Sequence, residues 1–126
     1  MKRRQFLTYT AQATAVISTA TFAKAQTVSA NEEVSVALIG CGTRGTHVAR
    51  LMRQAPGTRF VAVCDVYDNN AAAPKRWAGD GCQSYRDFRR VLDRKDIQAV
   101  LVATPDHWHA IPTVLACQAG KDVYVE

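Results

Sequence analysis

The chain has 126 residues, 48% hydrophobic and 21% charged, which is apolar enough for one packed domain and excludes a disordered polyelectrolyte. Its 16 Lys and Arg exceed its 11 Asp and Glu, but Lys2, Arg3, Arg4 and Lys24 stand in the first 25 residues, which hold no acid. The remainder carries 12 basic and 11 acidic residues, a net of +1, so the basicity of the whole chain marks no nucleic-acid footprint.

Residues 1–25 read as an export signal peptide. Lys2-Arg3-Arg4-Gln5-Phe6-Leu7 resembles the twin-arginine signal, although Lys2 stands where the usual signal has Ser or Thr. A weakly apolar, Ala- and Thr-rich stretch follows over 8–22, and Ala23-Lys24-Ala25 offers a small-x-small cleavage site. That stretch is too short and too rich in Thr to make a stable membrane span. The expected partner is the twin-arginine export machinery and the expected location the periplasm; an ordinary secretory signal or an organellar presequence is the alternative. Residues 26–33 are polar and read as a linker.

Residues 34–39 predict a strand that runs straight into Gly40-Cys41-Gly42-Thr43-Arg44-Gly45, a Gly-x-Gly-x-x-Gly turn. In such a turn the first glycine permits the tight bend, the second lets a pyrophosphate approach the backbone, and the third lets the helix pack on the strand. The free N–H groups of the helix that follows then face the phosphates. That helix is predicted over 43–54, with Val48, Leu51 and Met52 at helical spacing and Pro56-Gly57 ending it. A second strand over 59–64 ends at Asp65, roughly 20 residues beyond the glycines, where a ribose-binding carboxylate is expected. A carboxylate there accepts hydrogen bonds from ribose hydroxyls and repels a 2′-phosphate, which favours NAD over NADP as the cofactor.

Residues 65–70 predict a loop, 71–78 a short Ala-rich helix weakened by Pro74, and 82–83 a very short edge strand. Ser84 and Asp87 are spaced as a capping box for a helix over 85–92. Residues 99–103 are apolar throughout, as a parallel strand covered on both faces should be. A helix follows Thr104-Pro105-Asp106, runs to about 119 and is closed by Gly120; residues 122–126 are the last strand. The alternation predicts an α/β, Rossmann-type doubly wound domain over 34–126. Its mostly parallel sheet has the order 3-2-1-4-5, with helices on both faces and a switch point between the first and fourth strands.

Cys41, Cys64, Cys82 and Cys117 form no CxxC pair and no zinc-like spacing with the histidines. A Cys41–Cys64 disulfide would suit an oxidising compartment, but twin-arginine substrates resemble proteins that fold before export, so small buried thiols are expected. Thr104-Pro105-Asp106-His107-Trp108-His109 crowds two imidazoles, a carboxylate and an indole at the end of the fourth strand. A metal site is disfavoured, because successive positions on a starting helix diverge by ~100° and no third ligand converges. Helix capping and packing account for part of the cluster. The rest reads as a wall of the nicotinamide end of a cofactor pocket at the switch point.

With these motifs in place, the chain from Val34 to Glu126 resembles the N-terminal domain of the Gfo/Idh/MocA oxidoreductases. The carriers are the glycine turn, Asp65, Ala103 to His109, and Ala119-Gly120-Lys121-Asp122-Val123-Tyr124-Val125-Glu126. The resemblance implies an enzyme that moves a hydride between nicotinamide and a sugar or cyclitol carbon. It implies that Gly40, Gly42 and Gly45 shape the pyrophosphate turn and that Thr43 and Arg44 line it. Asp65 is then at the adenosine ribose, Thr104, Pro105 and Glu126 are near the nicotinamide ribose, and His107, Trp108 and His109 border the ring or substrate. It places the family's catalytic lysine just beyond Glu126, so no catalytic residue is expected in this chain, which reads as a fragment truncated at the last strand and inactive alone. Lys121 stands before that strand and is no substitute. A homo-oligomer is implied at full length. Two alternatives are an NAD-retaining glycosidase of the same family and a non-catalytic nucleotide-binding module; the Thr104–His109 cluster argues against a methyltransferase.

Overall fold

A computed structural model describes residues 33–126; the expected signal peptide of 1–25 lies outside the described residues, as does the expected linker of 26–33 apart from Glu33. Five parallel strands, β1 (Val34–Ile39), β2 (Thr58–Cys64), β3 (Gln83–Tyr85), β4 (Ala99–Val102) and β5 (Asp122–Val125), form one sheet. Their order is β3-β2-β1-β4-β5, the predicted topology. Between them run α1 (Thr43–Met52), α2 (Asp68–Ala78), α3 (Phe88–Leu92) and α4 (Ala110–Gln118), the last preceded by a 3₁₀ turn at Asp106–Trp108. No helix among the described residues is long and apolar enough to cross a membrane.

The central strands are apolar because both of their faces are covered. Val36 and Leu38 of β1 and Leu101 of β4 share a core with Val48 and Ala49 of α1 and Ala71 of α2. Ala37, Ile39, Val100 and Val102 share the opposite core with Val91 of α3 and Ala116 of α4. The alternation breaks once, in β2: Phe60 and Val63 join the first core, whereas Val61 and Ala62 both join the second. The register explains it. Val36 pairs with Phe60 and Ala37 with Ala62, so Val61 is an extra, bulged residue. Its carbonyl accepts a hydrogen bond from Arg94 Nη1 at 3.2 Å.

Several boundaries differ from expectation. α1 stops at Met52, two residues short of Gln54, and β4 at Val102 rather than Ala103. α2 begins at Asp68, so Asp68, Asn69 and Asn70 belong to a helix and not to a loop; an acid in the first turn suits the helix dipole. Pro74 is accommodated inside that helix and is fully buried. The third strand is Gln83–Tyr85, not 82–83, and the expected capping box does not form. Ser84 is a strand residue, and Asp87 is itself the cap of α3, accepting from the Arg89 N–H at 3.0 Å. The single helix expected after Asp106 is a 3₁₀ turn followed by α4. Cys41, Cys64 and Cys82 are buried free thiols as expected, whereas Cys117 is free but exposed.

Candidate functional site

The carboxyl ends of β1, β2 and β4 bring Gly40, Asp65 and Thr104 together. Gly40 leaves β1 at φ 94°, and a Cβ there would lie 2.4 Å from the Ala103 carbonyl oxygen. Both facts require glycine. Gly45 in the first turn of α1 is pressed against the same bend; its Cβ would lie 2.0 Å from the Gly40 oxygen. Gly42 differs, because a Cβ added to it would meet nothing within 4 Å. The space over it is open.

Gly42 caps α1 without a side chain, and its carbonyl accepts the Thr46 N–H at 2.9 Å. The amides of Thr43, Arg44 and Gly45 precede that first helical bond, so no helical carbonyl can serve them. No acid occupies the first turn. The result is an unobstructed ledge of N–H groups at the positive end of a helix, with room for an anion.

Asp65 closes this ledge from β2. Its Oδ2 accepts the Cys41 N–H at 2.8 Å and its Oδ1 the Tyr67 N–H at 2.9 Å, with Asn70 Nδ2 3.4 Å from each oxygen. The half-buried carboxylate therefore ties the glycine turn to the end of β2. It also borders open space, because two cavities meet at Gly40, Asp65, Val66, Thr104 and Pro105. The smaller, of about 300 Å³, runs over Gly42, Thr43, Arg44 and Gly45. The larger, of about 470 Å³, is walled by His107, Trp108 and Pro112 on one side and Arg86, Asp87, Phe88 and Arg89 on the other. Spacing along the chain does not point to this second wall. The strand register does: Cys64 pairs with Tyr85, so Arg86 leaves β3 beside Asp65.

The Thr104–His109 cluster divides. Thr104 and Pro105 border both cavities, and Thr104 Oγ1 is buried with no partner among the described residues. The His107 and Trp108 rings, 6.3 Å apart, border the larger cavity, and Trp108 is exposed. His109 lines neither cavity; its Nε2 proton is donated to the Thr104 carbonyl at 2.5 Å, which braces the loop on itself. Glu126 also lines neither. It pairs with Arg44 across 82 positions of sequence, and that guanidinium holds its carboxyl below the usual carboxylate range.

Cys41 and Cys64 lie under the turn, their thiols pushed up to about 12 by burial and by the charge of Asp65, which leaves them protonated and inert at neutral pH. Cys41 Sγ donates to the Cys64 carbonyl at 3.5 Å. Lys121 lies elsewhere: its Nζ donates to the carbonyls of Arg94 at 2.7 Å and Ile97 at 2.9 Å, below the amino ends of β4 and β5. No group of three or more potential metal ligands occurs among the described residues. A dinucleotide fits the donors that are present: free amides over Gly42 for a diphosphate, a carboxylate on the next strand for a ribose, and an apolar-walled cavity beyond it.

A family model described as the oxidoreductase family with an NAD-binding Rossmann fold matches residues 34–126. A 2,7-anhydro-N-acetylneuraminate hydratase of Mediterraneibacter gnavus is 32% identical over 93 residues, covering 74% of this chain and 24% of the hydratase. A glycosyl hydrolase family 109 protein of Saccharopolyspora erythraea is 37% identical over 105 residues, covering 77% of this chain and 23% of its own length. Among solved structures, myo-inositol 2-dehydrogenase from Lactobacillus plantarum superposes with a TM-score of 0.67 at 28% identity, covering 74% of this chain and 27% of the dehydrogenase. The chain thus spans about a quarter of the length of these proteins.

Proposed function

The chain belongs to the Gfo/Idh/MocA oxidoreductase family, and from that premise we propose that it is the NAD-binding domain of an enzyme transferring a hydride between nicotinamide and a sugar or cyclitol carbon. The observation that carries this reading is the open, Cβ-free ledge at Gly42, facing unserved amides and closed by Asp65. Bound nicotinamide supplies the hydride chemistry. The residues of this chain hold the cofactor in place. The amides of Thr43 to Gly45 receive the diphosphate, and Arg44, paired with Glu126, lies at its edge. Asp65 accepts from the adenosine ribose, and its charge favours NAD over NADP. Thr104 and Pro105 border the nicotinamide ribose, and His107 and Trp108 wall the far side. The chain spans about a quarter of the length of its relatives, so proton transfer at the reacting carbon is assigned to the part of such an enzyme that it does not cover. The twin-arginine-like segment supports export.

Calorimetric titration of the chain with NAD tests the reading. Binding is expected, weakened by about 1–3 kcal/mol in Asp65→Ala through loss of charge-assisted hydrogen bonds. Affinity unchanged by that substitution removes Asp65 from the ribose role, and a chain that binds S-adenosylmethionine but no NAD ends the proposal. The likeness to a glycosyl hydrolase family 109 protein supports a second reading, a glycosidase that oxidises a ring carbon transiently and reduces it again with the same NAD. Cleavage of an aryl glycoside by the intact protein without added NAD separates that chemistry from a dehydrogenase, whose turnover requires added cofactor.

A further inference from the structure

Arg86 is the first residue beyond β3, and it does not stand free. Cys64 pairs with Tyr85, and the Asp65 N–H donates to the Tyr85 carbonyl at 3.1 Å, so Asp65 and Arg86 leave adjacent strands side by side. Neighbouring strands lie about 4.8 Å apart. An arginine whose backbone leaves the sheet beside Asp65 is within side-chain reach of the place where a 2′-phosphate would seek a cation. Here Asp68, in the first turn of α2, holds it: Arg86 Nε donates to Asp68 Oδ1 at 2.9 Å, and the second nitrogen, Nη2, donates to Oδ2. The neighbouring cation, Arg89, is bound in the same way by Asp87, with Nε–Oδ1 at 2.9 Å and Nη2–Oδ2 at 2.8 Å. Both guanidinium groups of this corner are thus already paired, Arg86 with Asp68 and Arg89 with Asp87.

We propose that the Asp68–Arg86 pair is a second determinant of cofactor choice, in which Asp68 withholds from a 2′-phosphate the cation that the fold sets beside Asp65. The inference rests on the dinucleotide-binding reading above and deepens it. Asp65 repels the phosphate directly, and Asp68 removes its counter-charge. Freeing Arg86, whose side chain is 71% exposed, lets it swing toward the ribose edge of the cavity it lines.

The test is calorimetry on the 126-residue chain with four probes: NAD, NADP, adenosine 5′-monophosphate and adenosine 2′,5′-bisphosphate. The unaltered chain is expected to prefer the two probes without a 2′-phosphate. In Asp68→Asn the affinities for NADP and the 2′,5′-bisphosphate should rise about fivefold, since releasing an exposed pair gains no more than the pair was worth. NAD and the monophosphate should move by less than about threefold. Asp68→Ser, which keeps a polar group in the first turn of the helix, should behave in the same way. The double variant Asp68→Asn/Arg86→Ala should lose the gain. A gain that persists in the double variant shows that only the negative charge of Asp68 mattered and overturns the proposal. So does monophosphate binding with no gain for the bisphosphate in either single variant. Failure of every chain to bind any of the four probes overturns the dinucleotide reading along with it.

Discussion

Gly42 and Gly45 lie three positions apart in one turn, yet their missing side chains serve different ends. At Gly45 a methyl group would run into the Gly40 carbonyl at 2.0 Å, which is backbone and cannot move aside. At Gly42 it would enter open space. Gly45→Ala is therefore expected to destabilise the domain by more than about 2 kcal/mol, read from urea unfolding. Gly42→Ala should leave stability within about 1 kcal/mol, because a weaker cap and a stiffer unfolded chain offset one another. The same substitution should weaken NAD at least about tenfold by occupying the ledge. Equal effects of the two substitutions on stability would show that the turn is filled by protein rather than left open for a ligand. Asp65 shows why a motif residue is rarely single-purpose: it accepts two backbone N–H groups of its own fold. Its substitution should lower both stability and affinity, and the thermal melt must accompany the titration.

At the scale of elements, side chains decide where the chain turns. α3 exists because Asp87 caps it, and the short strand before it extends to Tyr85 because Ser84 is taken into the sheet. The stretch between α3 and β4 has no regular structure to satisfy its carbonyls, and buried Lys121 supplies the donors for Arg94 and Ile97. Lys121→Met keeps most of the apolar stem and removes the ammonium. It should cost about 1–3 kcal/mol, since two carbonyls lose their partner. Urea melts that match the parent would show that water replaces the ammonium without loss.

Across the whole molecule, Asp68, Asp87, Asp96 and Glu126 share one electrostatic pattern. Each carboxyl is held below its usual range, chiefly by hydrogen bonds from Arg86, Arg89, Arg94 and Arg44 respectively. A carboxylate whose folded pKa is depressed binds fewer protons folded than unfolded, so its contribution is present above the usual carboxylate range, about 4, and is lost as the pH falls through the folded value. The melting temperature should therefore decline by several degrees below about pH 4, and less steeply in about 1 M salt, because these pairs are exposed and screened. A melting curve unaffected by acid would mean that the pairs contribute nothing to the fold.

The strand-turn-helix run from Val34 to Met52, the acid closing β2 and the alternation of elements are local or periodic signals, and from them the sheet order and the glycine turn follow without any tertiary information. Tertiary structure alone decided the rest, because it depends on which residues the sheet places side by side. The bulge at Val61, the Arg44–Glu126 pair 82 positions apart and the bond from Cys41 to Asp65 leave no trace in spacing. His109 shows the same limit. Its neighbours His107 and Trp108 border the cavity, while the 3₁₀ turn carries its ring onto the Thr104 carbonyl. Composition can mark a chemically dense loop, but the direction each side chain takes is set by backbone geometry that forms only when the loop packs.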